Sequence, residues 1–275
     1  MSKPRSLARS KGPLDSEPGV SQMTERGRTG APAASEEPVA LVTGGGTGIG
    51  AACCRALAAE GFRVAVHYRS SEETALAVVA ELPDAFAVCA DLGRPEDVDA
   101  LIPVLRERAG RVDALVNNAG ANVNAPMLAM KLDDYDAVMS VARGTWYLTR
   151  LILRRFMLRR GYGRIVNISS VVAHTGNPGQ IPYTMAKAGL DAFTKSLAQE
   201  MAGRDVLVNS VAPGFIDTEM TAALPEEVRD AILARIPQGR MGTPEEVAEV
   251  VAFLARRATY VNGAVIHVNG GMFGG

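Results

Sequence analysis

Beyond Pro38 the chain alternates short runs of Val, Ala and Ile with longer amphipathic segments, and this alternation limits the fold more than any other feature. A strand that is apolar at nearly every position must be covered on both faces, as in parallel sheets flanked by helices. Such runs stand at 39–43, 63–68, 85–90, 114–117, 164–168, 206–211 and 264–268. The spacing predicts helices between them, beginning near Gly48, Ser71, Pro95, Asp133, Pro182, Pro225 and Pro244. At Thr243-Pro244-Glu245-Glu246 the start is explicit: a capping hydroxyl, a proline at the first helical position, then acids where the helix dipole favours them. Repeated βαβ units of this kind predict a doubly wound, seven-stranded parallel α/β sheet in a single domain over 38–275.

Residues 1–37 are different: rich in Ser, Pro, Gly and charge, with too little apolar surface to order themselves, they are read as a disordered tail. The tail carries both signs of charge in near balance, and the whole chain has a net charge of -1 with 47% hydrophobic residues. That composition fits a soluble globular protein and implies no nucleic-acid partner. No apolar run reaches the length of a membrane span and no secretory signal opens the chain, so no membrane partner and a cytoplasmic location are expected. Cys53, Cys54 and Cys89 lack ligand spacing and are read as small buried hydrophobes in a reducing compartment. His67, His174 and His267 are not expected to act as bases or ligands, so no metal is expected.

Directly after the first strand comes Thr43-Gly44-Gly45-Gly46-Thr47-Gly48-Ile49-Gly50, followed by a helical run. Glycines there permit positive φ and let main-chain N–H groups approach a pyrophosphate at the positive end of the helix. The spacing through Gly44, Gly48 and Gly50 is G-x-x-x-G-x-G, not the strict G-x-G-x-x-G fingerprint of dinucleotide folds. With strand before and helix after, phosphate binding is the expected role, and a flexible turn is the other reading. At the end of the second strand, where an acid would accept from the ribose hydroxyls of NAD, the chain reads His67-Tyr68-Arg69-Ser70. A guanidinium and a hydroxyl suit a 2′-phosphate, so NADP is expected; a plain surface charge is the other reading of Arg69.

Tyr183 and Lys187 lie four residues apart in a segment that opens at Pro182, so a helix puts them on one face. An ammonium beside a phenol favours the phenolate, the condition for proton exchange near neutral pH. Asn167-Ile168-Ser169-Ser170-Val171 closes the fifth strand and brings a serine hydroxyl to the ligand-binding edge of the sheet. Glycine loop, serine and Tyr-x-x-x-Lys in this order form a specific combination.

On these residues the chain from Pro38 to Gly275 resembles the short-chain dehydrogenase/reductase family, and within it the 3-oxoacyl-acyl carrier protein reductases. Gly176-Asn177-Pro178-Gly179-Gln180, Val211-Ala212-Pro213-Gly214-Phe215-Ile216 with Thr218, and His267-Val268-Asn269-Gly270-Gly271-Met272 are similar to stretches of that subgroup. The resemblance implies that Ser170 orients a ketone oxygen, Tyr183 donates a proton to it, and Lys187 assists the tyrosine and holds the nicotinamide ribose, with NADPH as hydride donor. It places Asp91 and Leu92 at the adenine and Asn118-Ala119-Gly120 along the cofactor, though Asp91 also reads as a turn acid. Pro213, Gly214, Ile216 and Thr218 would clasp the nicotinamide amide, 217–240 would form a lid, and the assembly would be a homotetramer.

One departure stands out. The family usually carries an Asn in the helix after the fourth strand to support proton resupply, and a gap-free count from Ser170 puts Ala142 there. Two function classes follow: an active reductase, of carrier-bound 3-oxoacyl groups or of a free ketone or alcohol, and a cofactor-binding partner without turnover. Arg154, Arg155, Arg159, Arg160 and Arg204 would suit an acidic carrier protein, or equally a solvated face or a subunit contact.

Overall fold

The computed structural model describes residues 37–218, 221 and 225–274; all of the expected tail but Glu37, and 219, 220 and 222–224 of the expected lid, lie outside them. The strands are β1 (Val39–Val42), β2 (Arg63–Tyr68), β3 (Ala85–Cys89), β4 (Ala114–Asn117), β5 (Tyr162–Ile168), β6 (Asp205–Pro213) and β7 (Val265–Val268). Between them run α1 (Gly48–Ala59), α2 (Glu72–Glu81), α3 (Pro95–Arg108), α4 (Leu132–Ile152), α5 (Val172–Thr175), α6 (Ile181–Glu200), α7 (Glu226–Leu233) and α8 (Pro244–Arg256). All strand pairs are parallel, in the order β3-β2-β1-β4-β5-β6-β7. The chain reverses its direction of winding between β1 and β4, the point at which open α/β sheets bind ligands beyond the carboxyl ends of their strands.

Alternation along each strand divides the core in two. Ala40, Val42, Val64 and Val66 face α1, α2 and α8, whereas Leu41, Ala65, Leu115 and Ile165 face α3, α4 and α6. Helix ends follow local chemistry. α3 opens on Pro95 with Glu96 and Asp97 in its first turn and closes on Arg106 and Arg108, complementing the dipole at both ends. At α8 the Thr243 hydroxyl accepts from the Glu246 N–H (3.3 Å) and Glu246 Oε2 accepts from the Thr243 N–H (2.8 Å), a reciprocal capping box.

Four local expectations need correction. β5 begins at Tyr162, because Gly163 is a packing glycine rather than a turn: a Cβ there would lie 2.5 Å from Met157 Sδ. β6 runs on to Pro213, which donates no ladder bond but stays in the sheet through its carbonyl, the acceptor for Val171 N (2.8 Å). α4 continues through a π-helical turn, Leu153–Met157, which turns Phe156 and Met157 inward and leaves Arg154 and Arg155 exposed. Cys89 is exposed, unlike the buried Cys53 and Cys54, because β3 is an edge strand whose alternate residues face outward.

Candidate active site

The glycine loop is tied to β4 before any ligand is considered. Thr43 Oγ1 accepts from the N–H groups of Asn118 and Ala119, both at 3.0 Å, and donates to Val116 O (3.2 Å). Asn118 Nδ2 in turn donates to the carbonyls of Thr43 (2.9 Å) and Gly44 (3.1 Å). Gly44 and Gly48 have φ of +64° and +50°, the left-handed region that favours glycine. A Cβ on Gly50 would lie 2.0 Å from Gly44 O, and one on Gly46 2.9 Å from Thr74 Oγ1, so these two positions admit only backbone. Thr47 precedes α1 and its side chain makes no capping bond, so the first N–H groups of the helix have no side-chain cap and would favour an anion. Thr218 closes the opposite wall: its Cγ2 would be 3.5 Å from a Cβ on Gly48.

Sequence reasoning missed His67 as part of this loop. Its ring is buried, Nδ1 accepts from the Gly44 N–H (3.2 Å) and Nε2 lies 3.0 Å from Ala90 O, which fixes the tautomer with the proton on Nε2. Burial pushes its pKa down to about 4, so the ring is neutral and acts as an anchor for the first glycine. The available signal was a polar ring inside an otherwise apolar parallel strand.

At the ribose end Arg69 and Ser70 are exposed at the close of β2. Asp91 Oδ1 accepts from the Gly93 N–H (2.8 Å) and its own N–H donates to Asp97 Oδ2 (3.1 Å), so the turn function anticipated for this acid is present. Leu92 is buried and its carbonyl packs on Gly144, where a Cβ would sit 1.8 Å away. The set of groups fits a phosphorylated dinucleotide: a cradle that any Cβ would fill, open amides at a helix start, and a guanidinium with a hydroxyl where a carboxylate would mark NAD.

The residues expected to react, Ser170, Tyr183 and Lys187, lie just past β5 and on α6. Sheet pairing continues past the strand, with Ser169 N donating to Val211 O (2.7 Å) and Val171 N to Pro213 O (2.8 Å), which presents the Ser170 side chain at the sheet edge. Ser170 Oγ accepts from the Val172 N–H at 3.3 Å. α6 carries Tyr183 and Lys187 one turn apart, and the Lys187 Nζ lies 5.5 Å from the Tyr183 ring centroid. That ammonium is buried and donates to Ile168 O (2.7 Å), so one carbonyl two residues before Ser170 sets the lysine's position. A Cβ on Gly120 would be 3.5 Å from the same Nζ, and the β6 loop closes in with Gly214 N donating to Val268 O (2.9 Å) and Ile216 bridging to Gly242. The cleft between α4 and α6, about 180 Å³, has Tyr183, Lys187, Ala119, Ala142 and Thr145 in its wall. Ala142 thus lies on the lysine's side of the site, with the Thr145 hydroxyl in the same wall. Among the described residues no three His, Cys, Asp or Glu are grouped to hold a metal, and no helix is long and apolar enough to cross a membrane.

A doubly wound parallel sheet with a glycine loop after its first strand and a Tyr-Lys pair on the long helix after its fifth fits a nicotinamide-dependent oxidoreductase. Residues 44–273 match a family model described as enoyl-(acyl carrier protein) reductase. The chain is 47% identical over 242 residues to the 3-oxoacyl-[acyl-carrier-protein] reductase FabG of Aquifex aeolicus, covering 86% of this chain and 97% of that one. It is 46% identical over 240 residues to the 3-oxoacyl-[acyl-carrier-protein] reductase of Synechocystis sp., covering 85% and 96%. Against the corresponding FabG of Vibrio cholerae the identity is 44% over 241 residues, covering 86% and 98%. The chain belongs to the short-chain dehydrogenase/reductase family; it is an oxidoreductase like the 3-oxoacyl-acyl carrier protein reductases, and NADP is its cofactor.

Proposed function

We propose that the chain reduces the 3-oxo group of an acyl chain held on an acyl carrier protein to the 3-hydroxy group. The observation that supports this reading is the bond from Lys187 Nζ to Ile168 O, which ties the helix bearing Tyr183 and Lys187 to the strand end that leads into Ser170. NADPH, when bound, supplies the hydride to the ketone carbon. Thr43 and Asn118 hold the loop whose amides receive the pyrophosphate, while Arg69 and Ser70 receive the 2′-phosphate. Ser170 Oγ donates to the ketone oxygen and fixes its direction. Tyr183 Oη gives that oxygen its proton as charge develops on it, and the Lys187 ammonium stabilises the phenolate left behind. Ala142 brings no polar group to the lysine, so the proton returns through solvent in the α4–α6 cleft, with the Thr145 hydroxyl on its path.

The carrier's acidic surface would meet Arg154, Arg155, Arg159 and Arg204, all exposed; Arg160 reaches the buried Asp113 instead (4.0 Å). Exposed apolar side chains on α4 and α6, Trp146 and Met185 among them, would be covered by further copies in a homotetramer. Cytoplasmic residence and a place in fatty acid or polyketide synthesis accord with a carrier-borne substrate. NADPH consumption with a carrier-bound 3-oxoacyl group, the same group on a short free thioester, a carrier-bound 2-enoyl group and a free cyclic ketone tests the proposal. Preference for the first supports it. Preference for the enoyl substrate or the free ketone reassigns the substrate, and tight NADPH binding without turnover of any makes the chain a cofactor-binding partner.

A further inference from the structure

One buried charge lies under the site and takes no part in the chemistry described so far. Asp191 stands one turn beyond Lys187 on α6 and is 4% exposed. Its Oδ2 accepts from Ser169 Oγ (2.8 Å), on the residue immediately before Ser170, and that hydroxyl also lies 3.3 Å from Lys187 O. Its Oδ1 accepts from Ser210 Oγ (2.5 Å) on β6, itself 3.2 Å from Asn167 O. His174 of α5 completes the shell, with Nε2 3.0 Å from Asp191 Oδ2. The same imidazole packs edge-on to His267 (4.7 Å between centroids) and against Phe273 (5.0 Å), so the C-terminal segment rests on it.

Taking a carboxylate out of water is costly, and an apolar side chain of similar size at this helix position would pack against the sheet without that penalty. The charge is retained where it receives a hydroxyl from each of two neighbouring strands and where those hydroxyls sit beside the residues that locate the reacting groups. Asn167, Ile168, Ser169 and Ser170 are consecutive: one touches Ser210, the next holds Lys187, the third holds Asp191, and the last faces the substrate.

We propose that Asp191 is a positioning residue for the reduction: through Ser169 and Ser210 it staples the helix bearing Tyr183 and Lys187 to the ends of β5 and β6, and through His174 it joins that frame to the C-terminal segment. The staple acts on the spacing between Ser170 and Tyr183, to which turnover is sensitive and cofactor binding is not. This rests on the reductase reading given above.

The test compares wild type with Asp191→Leu, Asp191→Asn and the double variant Ser169→Ala/Ser210→Ala. For Asp191→Leu, kcat falls on the order of tenfold to hundredfold while KM and NADPH affinity stay within about twofold. Asp191→Asn, whose amide both accepts from one serine and donates to the other, recovers most of the loss. The double serine variant removes both hydroxyl bonds without altering Asp191 and loses kcat in the same way; should it or the leucine variant fail to fold, the single variant Ser169→Ala, which keeps Ser210 on the carboxylate, shows a smaller loss of kcat alone. Hydrogen exchange without substrate or cofactor gives a second readout: faster exchange at 168–171 and 183–187 in the leucine or double serine variant, with β1 to β3 unchanged. If wild type reduces no ketone, the reductase reading fails while exchange still decides the staple. Wild-type kcat and wild-type exchange in the double serine variant overturn the proposal, as does a loss in which kcat, KM and melting temperature move together.

Discussion

At the scale of single residues, the proposed cofactor site gives Arg69 the choice between NADP and NAD. Replacing it with Asp would put a carboxylate where the proposal puts the 2′-phosphate and offer an acceptor to a free ribose hydroxyl, so the kcat/KM ratio of NADPH to NADH should fall by at least about tenfold. An unchanged ratio would make Arg69 a bystander. His67 gives a prediction about pH. Its folded pKa, held down to about 4 by burial, lies below the ordinary 6.5. Between those values the unfolded chain binds a proton that the folded chain does not, so the contribution is intact above pH 6.5 and is lost as pH falls toward 4, on the order of 3 kcal/mol. Urea melts of His67→Gln across that window should show a shallower pH dependence than wild type; an equal slope would count against it. That Tyr183 and Lys187 share one helix face and that Ser170 follows the fifth strand were legible in the sequence, because both depend on residue type and short spacing. His67, Asp191 and Ser210 were not, since each takes its meaning from partners far away along the chain.

At the scale of elements, the alternation of apolar runs and amphipathic segments gave every strand, and helix starts came out within a residue because Pro95, Pro182 and Pro244 mark them. Bounds failed where long-range pairing overrode local habit, as at Pro213, carried by its carbonyl bond, and Gly163, set by Met157. The π turn after α4 and the short α5 rest on packing against other elements and leave no periodic trace. The α8 cap is local and testable: Thr243→Ala removes one bond of the capping box and should cost about 1 kcal/mol in chemical denaturation without altering kcat. A loss of turnover instead would mean that α8 helps to hold Gly242 and Ile216 at the cleft.

At the scale of the whole molecule, the order β3-β2-β1-β4-β5-β6-β7 puts the glycine loop, Ser170 and the start of the helix that Lys187 ties to β5 at the carboxyl end of the sheet, where one crevice is proposed to serve both cofactor and substrate. Ala142 tests how that crevice is supplied with protons: Ala142→Asn should raise kcat at high pH, where solvent protons are scarce, and leave NADPH affinity unchanged, whereas identical pH profiles would show that solvent in the cleft already suffices. The central claim is hydride delivery to a ketone carbon with Tyr183 as proton donor, and the direct measurement uses NADPH deuterated at C4 with a carrier-bound 3-oxoacyl substrate. The account predicts one deuterium at C3 of the hydroxyacyl product and loss of nearly all product in Tyr183→Phe with cofactor binding retained. Product without deuterium, or full turnover by Tyr183→Phe, would contradict it.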